Sequence, residues 1–112
     1  MAQVADMAEM TEPVLIEQRG HVQWITINRP ARMNTLNEAV VRSIDAALKA
    51  AVDGGEVRAV VITGAGDQAF CAGADLAKGV KGAAFAIDHA RPKHYIVDLF
   101  KRLQECTLPV IA

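Results

Sequence analysis

The apolar stretch Val57-Arg-Ala-Val-Val-Ile-Thr63 and the thirteen residues directly after it, Gly64-Ala-Gly-Asp-Gln-Ala-Phe-Cys-Ala-Gly-Ala-Asp-Leu76, decide the fold class of this chain. A continuous apolar run of this length predicts a strand that is covered on both faces, as in a parallel sheet. Four of the thirteen following residues are alanine and three are glycine, so little side chain shields their backbone. We therefore expect a buried strand that ends in a tight loop with accessible main-chain groups.

The residues before this strand predict a β-hairpin and then a helix. Val14–Arg19 and His21–Asn28 flank Gly20 and have the apolar content of two paired strands. Asn37 is the expected N-cap of a helix that continues to about Val52, because Asn side chains accept hydrogen bonds from the first helical N–H groups. The apolar residues at helical spacing are Val40, Val41, Ile44, Ala47, Leu48 and Ala51.

The residues after the loop predict another helix and another strand. Pro92 fits the first turn of a helix that continues to about Cys106, and a strand is expected to begin near Pro109. The expected buried stripe of this helix is Ile96, Leu99, Phe100 and Leu103. Strands that alternate with helices in this way are typical of a layered α/β fold.

Composition excludes several classes of function. The 112 residues suit one domain, and 52% of them are hydrophobic, which is enough for a core. Twelve basic and thirteen acidic residues give a net charge of −1, so we expect no nucleic-acid partner and no membrane surface as partner. No apolar run is long enough to span a membrane. Residues 1–12 are expected to be a disordered leader.

The cysteines and histidines carry no recognisable site. Cys71 and Cys106 are too few for a disulfide framework, so reduced thiols in a cytoplasm are expected. His21, His89 and His94 lack the spacing of metal ligands, and we expect no metal.

The loop at 64–76 has a functional interpretation and two alternatives. Its main-chain N–H groups could approach a carbonyl or a phosphate closely and stabilise a developing oxyanion. A plain surface turn is the structural alternative. Gly64-Ala-Gly-Asp-Gln-Ala69 also fits the G-x-G-x-x-A pattern of dinucleotide-binding oxidoreductases. That pattern needs a helix starting at the glycines, which Phe70-Cys-Ala-Gly73 would break.

Three motifs in order resemble the crotonase superfamily, also called the enoyl-CoA hydratase/isomerase family. Ala69-Phe-Cys-Ala-Gly-Ala-Asp-Leu76 is similar to the family's oxyanion-hole motif, and Asn28-Arg-Pro-Ala-Arg-Met-Asn-Thr-Leu-Asn37 to its early strand-to-helix signature. Leu108-Pro-Val-Ile-Ala112 resembles the strand that leads into its next loop. The likeness extends from about Pro13 to the C-terminal residue.

The resemblance implies an α/β fold, the crotonase spiral of repeated ββα turns. Residues 13–112 would be the N-terminal part of that domain, truncated after the strand that begins near Pro109. The family's second oxyanion-hole glycine and its acid/base glutamates would lie downstream. This 112-residue piece alone is therefore expected to be inactive.

The resemblance also implies a function and its residues. The family acts on fatty-acyl or related coenzyme A thioesters as a hydratase (a lyase) or an isomerase, without a separate cofactor, and is expected to form a homotrimer or hexamer. Ala72 would donate one backbone N–H to the thioester oxygen, and Asn34 would organise its turn rather than touch substrate. The coenzyme A contacts would be Ala31, Arg32, Gly73, Ala74, Asp75 and Leu76. Two alternatives stay open: Arg32 as a solvated loop charge, and Asp75 as the N-cap of a following helix. A non-catalytic scaffold with the same fold is the remaining alternative.

Overall fold

The computed structural model describes residues 12–74 and 95–112. Along these residues the strands are β1 (Val14–Arg19), β2 (Val22–Ile27), β3 (Ala59–Gly64) and β4 (Val110–Ile111), and the α-helices are α1 (Glu38–Gly54) and α2 (Tyr95–Glu105). A short 3-10 helix covers Pro30–Arg32. The expected leader, apart from residue 12, and the expected helix start at Pro92 lie outside the described residues.

The strands form one mixed sheet in the order β1-β2-β3-β4. The predicted hairpin is confirmed: β1 and β2 are antiparallel, and Gly20 between them has a φ of 61° that suits glycine. β2 and β3 are parallel, with α1 as the crossover, and β4 is parallel to β3. Ile27 and Gly64 are register partners, so the chain leaves β2 and β3 at the same edge of the sheet.

Helix α1 begins and ends close to where its sequence predicts. The side chain of Asn37 accepts a hydrogen bond from the Val40 N–H at 3.0 Å, as an N-cap should. Gly55 ends the helix in a left-handed conformation, with φ of 75°. Its buried residues are the six that were predicted, namely Val40, Val41, Ile44, Ala47, Leu48 and Ala51.

We expect Asn37→Ala to destabilise the fold by about 1 kcal/mol, because the substitution leaves an N–H of the first turn without its acceptor. Urea unfolding of the full-length protein that contains this chain measures the change. Asn37→Ser is the matched control, since serine also caps, and it should cost much less. Equal losses in the two variants would show that the cap contributes nothing.

The helices cover one face of the sheet. The side chains of Ile25, Val60 and Ile62 point to this face and are buried, with Ile25 and Val60 fully inaccessible. On the opposite face of β3, Val61 and Thr63 are half-buried. Among the residues that the structure describes, the cover predicted for both faces of β3 is therefore full on one face and partial on the other.

Helix α2 packs against α1 along a stripe narrower than predicted. Ile96 and Leu99 are buried, as expected, and Leu103 is half-buried. Phe100 is 55% exposed, which contradicts its predicted place in the buried stripe. A helix that contacts its neighbours along one narrow line buries positions three apart, and the next residue turns about 100° away from that line. An ion pair between Asp45 and Arg102 joins the two helices beside this contact.

Strand β1 forms an edge of the described sheet and carries a charged pair. The guanidinium of Arg19 lies 3.0 Å from the carboxylate of Glu17 and 4.7 Å from the ring centroid of Trp24. The Arg19 hydrogen bond holds the pKa of the Glu17 carboxyl below its usual value. Charges on an edge strand oppose pairing with another chain.

In the described part of the molecule, no helix is both long enough and apolar enough to cross a bilayer.

Candidate functional site

The loops that follow β2 and β3 lie side by side. The first contains the 3-10 helix and then Met33 and Asn34, both with a φ of 55°. A left-handed conformation is uncommon for residues other than glycine, although asparagine adopts it more readily than most. Two such residues in succession turn the chain sharply, so that it enters α1 next to the loop after β3.

The side chain of Asn34 connects the two loops. It is 1% exposed. Its Oδ1 accepts from the Arg29 N–H at 2.9 Å, and its Nδ2 donates to the Ala65 carbonyl at 2.9 Å and the Ala69 carbonyl at 2.8 Å. The expectation that Asn34 organises its turn is confirmed, and the structure adds that the same amide holds the neighbouring loop.

The loop after β3 folds back over the end of its own strand at Gly64. A Cβ atom at this position would lie 2.2 Å from the Phe70 carbonyl oxygen and 2.7 Å from Nδ2 of Asn34. Neither distance is sterically allowed, so the close approach of the two loops requires glycine here.

A second set of contacts joins the loops through their backbones. The Ala72 N–H donates to the Met33 carbonyl at 3.0 Å, and the Leu36 N–H donates to the Gly73 carbonyl at 2.8 Å. Leu36 and Ala74 form a parallel bridge. The short segment 72–74 is therefore held along the segment 33–36.

These bonds bear on the prediction that the Ala72 N–H is an oxyanion donor, which stays a prediction. An N–H that already donates to Met33 has no free hydrogen for a substrate oxygen unless that bond breaks. In a trans peptide the C=O of one residue and the N–H of the next point in opposite directions. Because the Gly73 carbonyl points at Leu36, the Ala74 N–H points away from the segment 33–36. Within the described part of the chain, no backbone carbonyl accepts from it.

The two loops lie between two cavities. The first, of about 370 Å³, has a mixed polar and apolar lining, formed by Pro30, Ala31, Met33, Asn34, Ala65, Gly66, Asp67, Gln68 and Ala69. The second, of about 580 Å³, is largely apolar and is lined by Ile27, Leu36, Ile44, Ile62, Phe70, Cys71, Leu99, Phe100, Leu103, Gln104, Val110 and Ala112. We call them the loop cavity and the apolar cleft. Ala69 contacts the first and Phe70 the second, so the loop after β3 separates them.

The structure brings together part of the predicted site. Ala31 lines the loop cavity, and Arg32 is exposed at the end of the same 3-10 helix. Gly73 and Ala74 lie on the segment paired with 33–36. The predicted contacts at Asp75 and Leu76 lie outside the described residues.

Sequence reasoning missed the apolar cleft and the requirement for glycine at position 64. The apolar residues of α2 were assigned to a buried stripe, whereas Leu99 and Phe100 also line the cleft. Phe100 is an aromatic residue at the margin of the helical stripe, and this position was the feature of the sequence that could have indicated the cleft.

The conformation after Gly64 contradicts the dinucleotide-binding alternative. Residues 65–74 form bends and irregular backbone, and no helix begins at Gly64 or Gly66. A pyrophosphate site of that class needs a helix N-terminus at this position.

Among residues 12–74 and 95–112, no three His, Cys, Asp or Glu side chains are grouped as metal ligands.

Comparisons with known proteins agree with the fold and with the motifs. Residues 17–112 match the family model described as enoyl-CoA hydratase/isomerase. A probable enoyl-CoA hydratase, EchA14 of Mycobacterium tuberculosis, is 40% identical over 102 residues, which cover 90% of this chain and 38% of that protein. The chain thus spans well under half the length of this curated relative.

Solved structures show the same likeness. An enoyl-CoA hydratase from Mycobacterium marinum, EchA8_6, superimposes with a TM-score of 0.72 at 30% identity, over 88% of this chain and 46% of that one. A carnitinyl-CoA hydratase from Mycobacterium avium has a TM-score of 0.58 at 52% identity, over 59% of this chain and 25% of that one.

Proposed function

Because the chain belongs to the enoyl-CoA hydratase/isomerase family, we propose that the full-length protein acts on acyl-coenzyme A thioesters. The reaction is hydration of a 2-enoyl thioester or a shift of its double bond. Relatives named as enoyl-CoA hydratases support the first of these two reactions.

One observation carries this proposal: the loop after β3 contributes to a cavity with a mixed polar and apolar lining and also to a largely apolar cleft. A coenzyme A thioester has the matching parts, since a polar nucleotide and pantetheine arm is joined through a thioester to an apolar acyl chain. The arm would lie toward the loop cavity near Ala31, and the acyl chain would lie in the cleft against Leu99. The thioester carbonyl would then lie beside residues 72–74.

The chemistry needs a donor for the thioester oxygen. In hydration a general base takes one proton from water as the water oxygen bonds to C3, and the electron pair of the C2–C3 double bond moves toward the thioester, so that the carbonyl oxygen becomes an enolate oxygen. A proton then adds to C2. We assign the N–H of Ala74 to the enolate oxygen in place of the Ala72 N–H, because its direction is set by the Gly73 peptide and it lacks a backbone acceptor among the described residues.

The remaining parts of the mechanism are implied by the family. Proton transfer needs acid–base groups, which in the family are glutamates. Coenzyme A enters as part of the substrate and no separate cofactor is proposed. A cytoplasmic homotrimer or hexamer completes the proposal, with Cys71 and Cys106, both free, in accord with a reducing compartment.

We expect the full-length protein to bind saturated acyl-coenzyme A with a dissociation constant below millimolar. Hexanoyl-coenzyme A should bind more tightly than butanoyl-coenzyme A, because each methylene buried in the apolar cleft contributes about 0.8 kcal/mol, or about fourfold in affinity. Isothermal titration calorimetry measures both constants, with free coenzyme A as the control.

The outcomes separate the competing functions. No binding at millimolar ligand would contradict the proposed substrate class. Equal affinity for the two chain lengths would contradict the assignment of the cleft to the acyl chain. Binding without hydration of the corresponding 2-enoyl thioester would favour the non-catalytic scaffold.

A further inference from the structure

We propose that Asn34 is a positioning residue for the reaction: its side-chain amide fixes the distance between the two loops and thereby places the Ala74 N–H at the thioester oxygen. This inference rests on the proposed function. Asn34 itself is assigned no contact with substrate.

The Asn34 amide is held in place by its surroundings. It is 1% exposed, and its Oδ1 is held by the Arg29 N–H within its own turn. Both Nδ2 hydrogens are directed across the gap, toward the Ala65 and Ala69 carbonyls. The amide thus links one loop to the other through two hydrogen bonds.

The residues on either side of Asn34 hold the segment that carries the donor. The Met33 carbonyl accepts from Ala72, and the Leu36 N–H donates to Gly73. The second of these bonds sets the Gly73 peptide plane, which also contains the Ala74 N–H. A displacement of the turn at 33–36 therefore rotates or shifts the proposed donor.

This positioning role needs a primary amide of the length of the Asn side chain. Two carbonyl acceptors require two hydrogens from one group, and the left-handed backbone at position 34 favours Asn, Asp or Gly. Aspartate keeps the shape and the acceptor but has no N–H to donate. Asn34→Asp therefore removes the connection to the second loop and leaves the bond from Arg29 in place.

The experiment uses Asn34→Asp in the full-length protein. Because misplacement of a catalytic group by about 1 Å costs about 10²-fold in rate, we expect kcat for hydration of a short 2-enoyl thioester to fall about 10²-fold. KM should change much less, since the donor acts mainly in the transition state. The infrared carbonyl stretch of bound ¹³C-labelled butanoyl-coenzyme A should return toward its frequency in solution, because the hydrogen bond that polarises the carbonyl is weakened.

The matched control is Asn37→Asp. It introduces the same change and the same charge three residues away, at a cap where aspartate is equally suited. We expect its kcat and its carbonyl frequency to equal those of the wild type.

If Asn34→Asp does not fold by circular dichroism, Asn34→Gly decides the matter, because glycine accepts the left-handed backbone and removes the same two donors. A folded variant with wild-type kcat and wild-type carbonyl frequency would overturn the inference while leaving the proposed function intact. The inference would also be overturned if kcat fell about 10²-fold while the carbonyl frequency stayed at its wild-type value. A wild-type protein that neither binds nor hydrates the thioester would instead overturn the proposed function.

Discussion

Replacing Ala74 by proline in the full-length protein is expected to lower kcat by about 10²–10³-fold, the usual cost of losing one oxyanion donor. Proline has no N–H, so the enolate oxygen would lose the donor that points away from the segment 33–36. Affinity for a saturated acyl-coenzyme A should change much less, because that ligand develops no negative charge on its oxygen. Steady-state hydration and calorimetric titration measure the two effects separately.

Two controls distinguish the missing hydrogen from a distorted loop. Ala74→Gly keeps the N–H and should retain most of the activity. A backbone ester at position 74, introduced by semisynthesis, replaces the N–H by oxygen without restricting φ and should reproduce the proline defect. If the folded ester variant turns over at the wild-type rate, Ala74 is not the donor. The Ala72 N–H would then be the donor to the thioester oxygen, with its bond to the Met33 carbonyl broken on binding.

Gly64→Ala is expected to destabilise the full-length protein by about 3 kcal/mol, at the upper end of the cost of overpacking. The new Cβ would lie 2.2 Å from the Phe70 carbonyl oxygen and 2.7 Å from the Asn34 amide nitrogen. Relief requires the loop after β3 to move, and this movement would break the bonds that Asn34 makes to it. Thermal unfolding should show a lower Tm, and acyl-coenzyme A affinity should fall as well.

Gly54→Ala is the matched control at the end of α1. A Cβ there would meet no atom within 4 Å, and its φ lies outside the left-handed range. We expect an unchanged or slightly raised stability, because alanine reduces the entropy of the unfolded chain. If both alanine variants unfold at the wild-type temperature, the loop after β3 can move freely and the close approach at Gly64 has no structural importance.

Local features of the fold could be predicted from the sequence because they depend on neighbours along the chain. The cap at Asn37 and the buried stripe of α1 follow from side chains three and four residues apart, and both are confirmed. Phe100 was assigned wrongly because its burial depends on how wide a surface the rest of the molecule presents to α2. No periodicity within the helix encodes that width.

The site could be predicted only as far as it depends on neighbours along the chain. The motif at 69–76 located the loop, and the glycine and alanine content indicated an accessible backbone. Which N–H is accessible depends on the partner strand: the Ala72 N–H donates to Met33 because the turn after β2 lies beside it. That juxtaposition follows from the register of Ile27 opposite Gly64, which a single sequence does not determine.

The hydrogen bonds of the Asn34 amide join residues that are far apart in the sequence, and this separation affects the order of folding. The amide's partners Ala65 and Ala69 are 31 and 35 positions away in the chain, with all of α1 between them. Contacts of such separation form late, because the entropy of closing the intervening loop opposes them until the strands have paired. A folding intermediate with a complete α1 and a formed β1–β2 hairpin would therefore still lack the site, and affinity for ligand should emerge only with the closure of β3 onto β2.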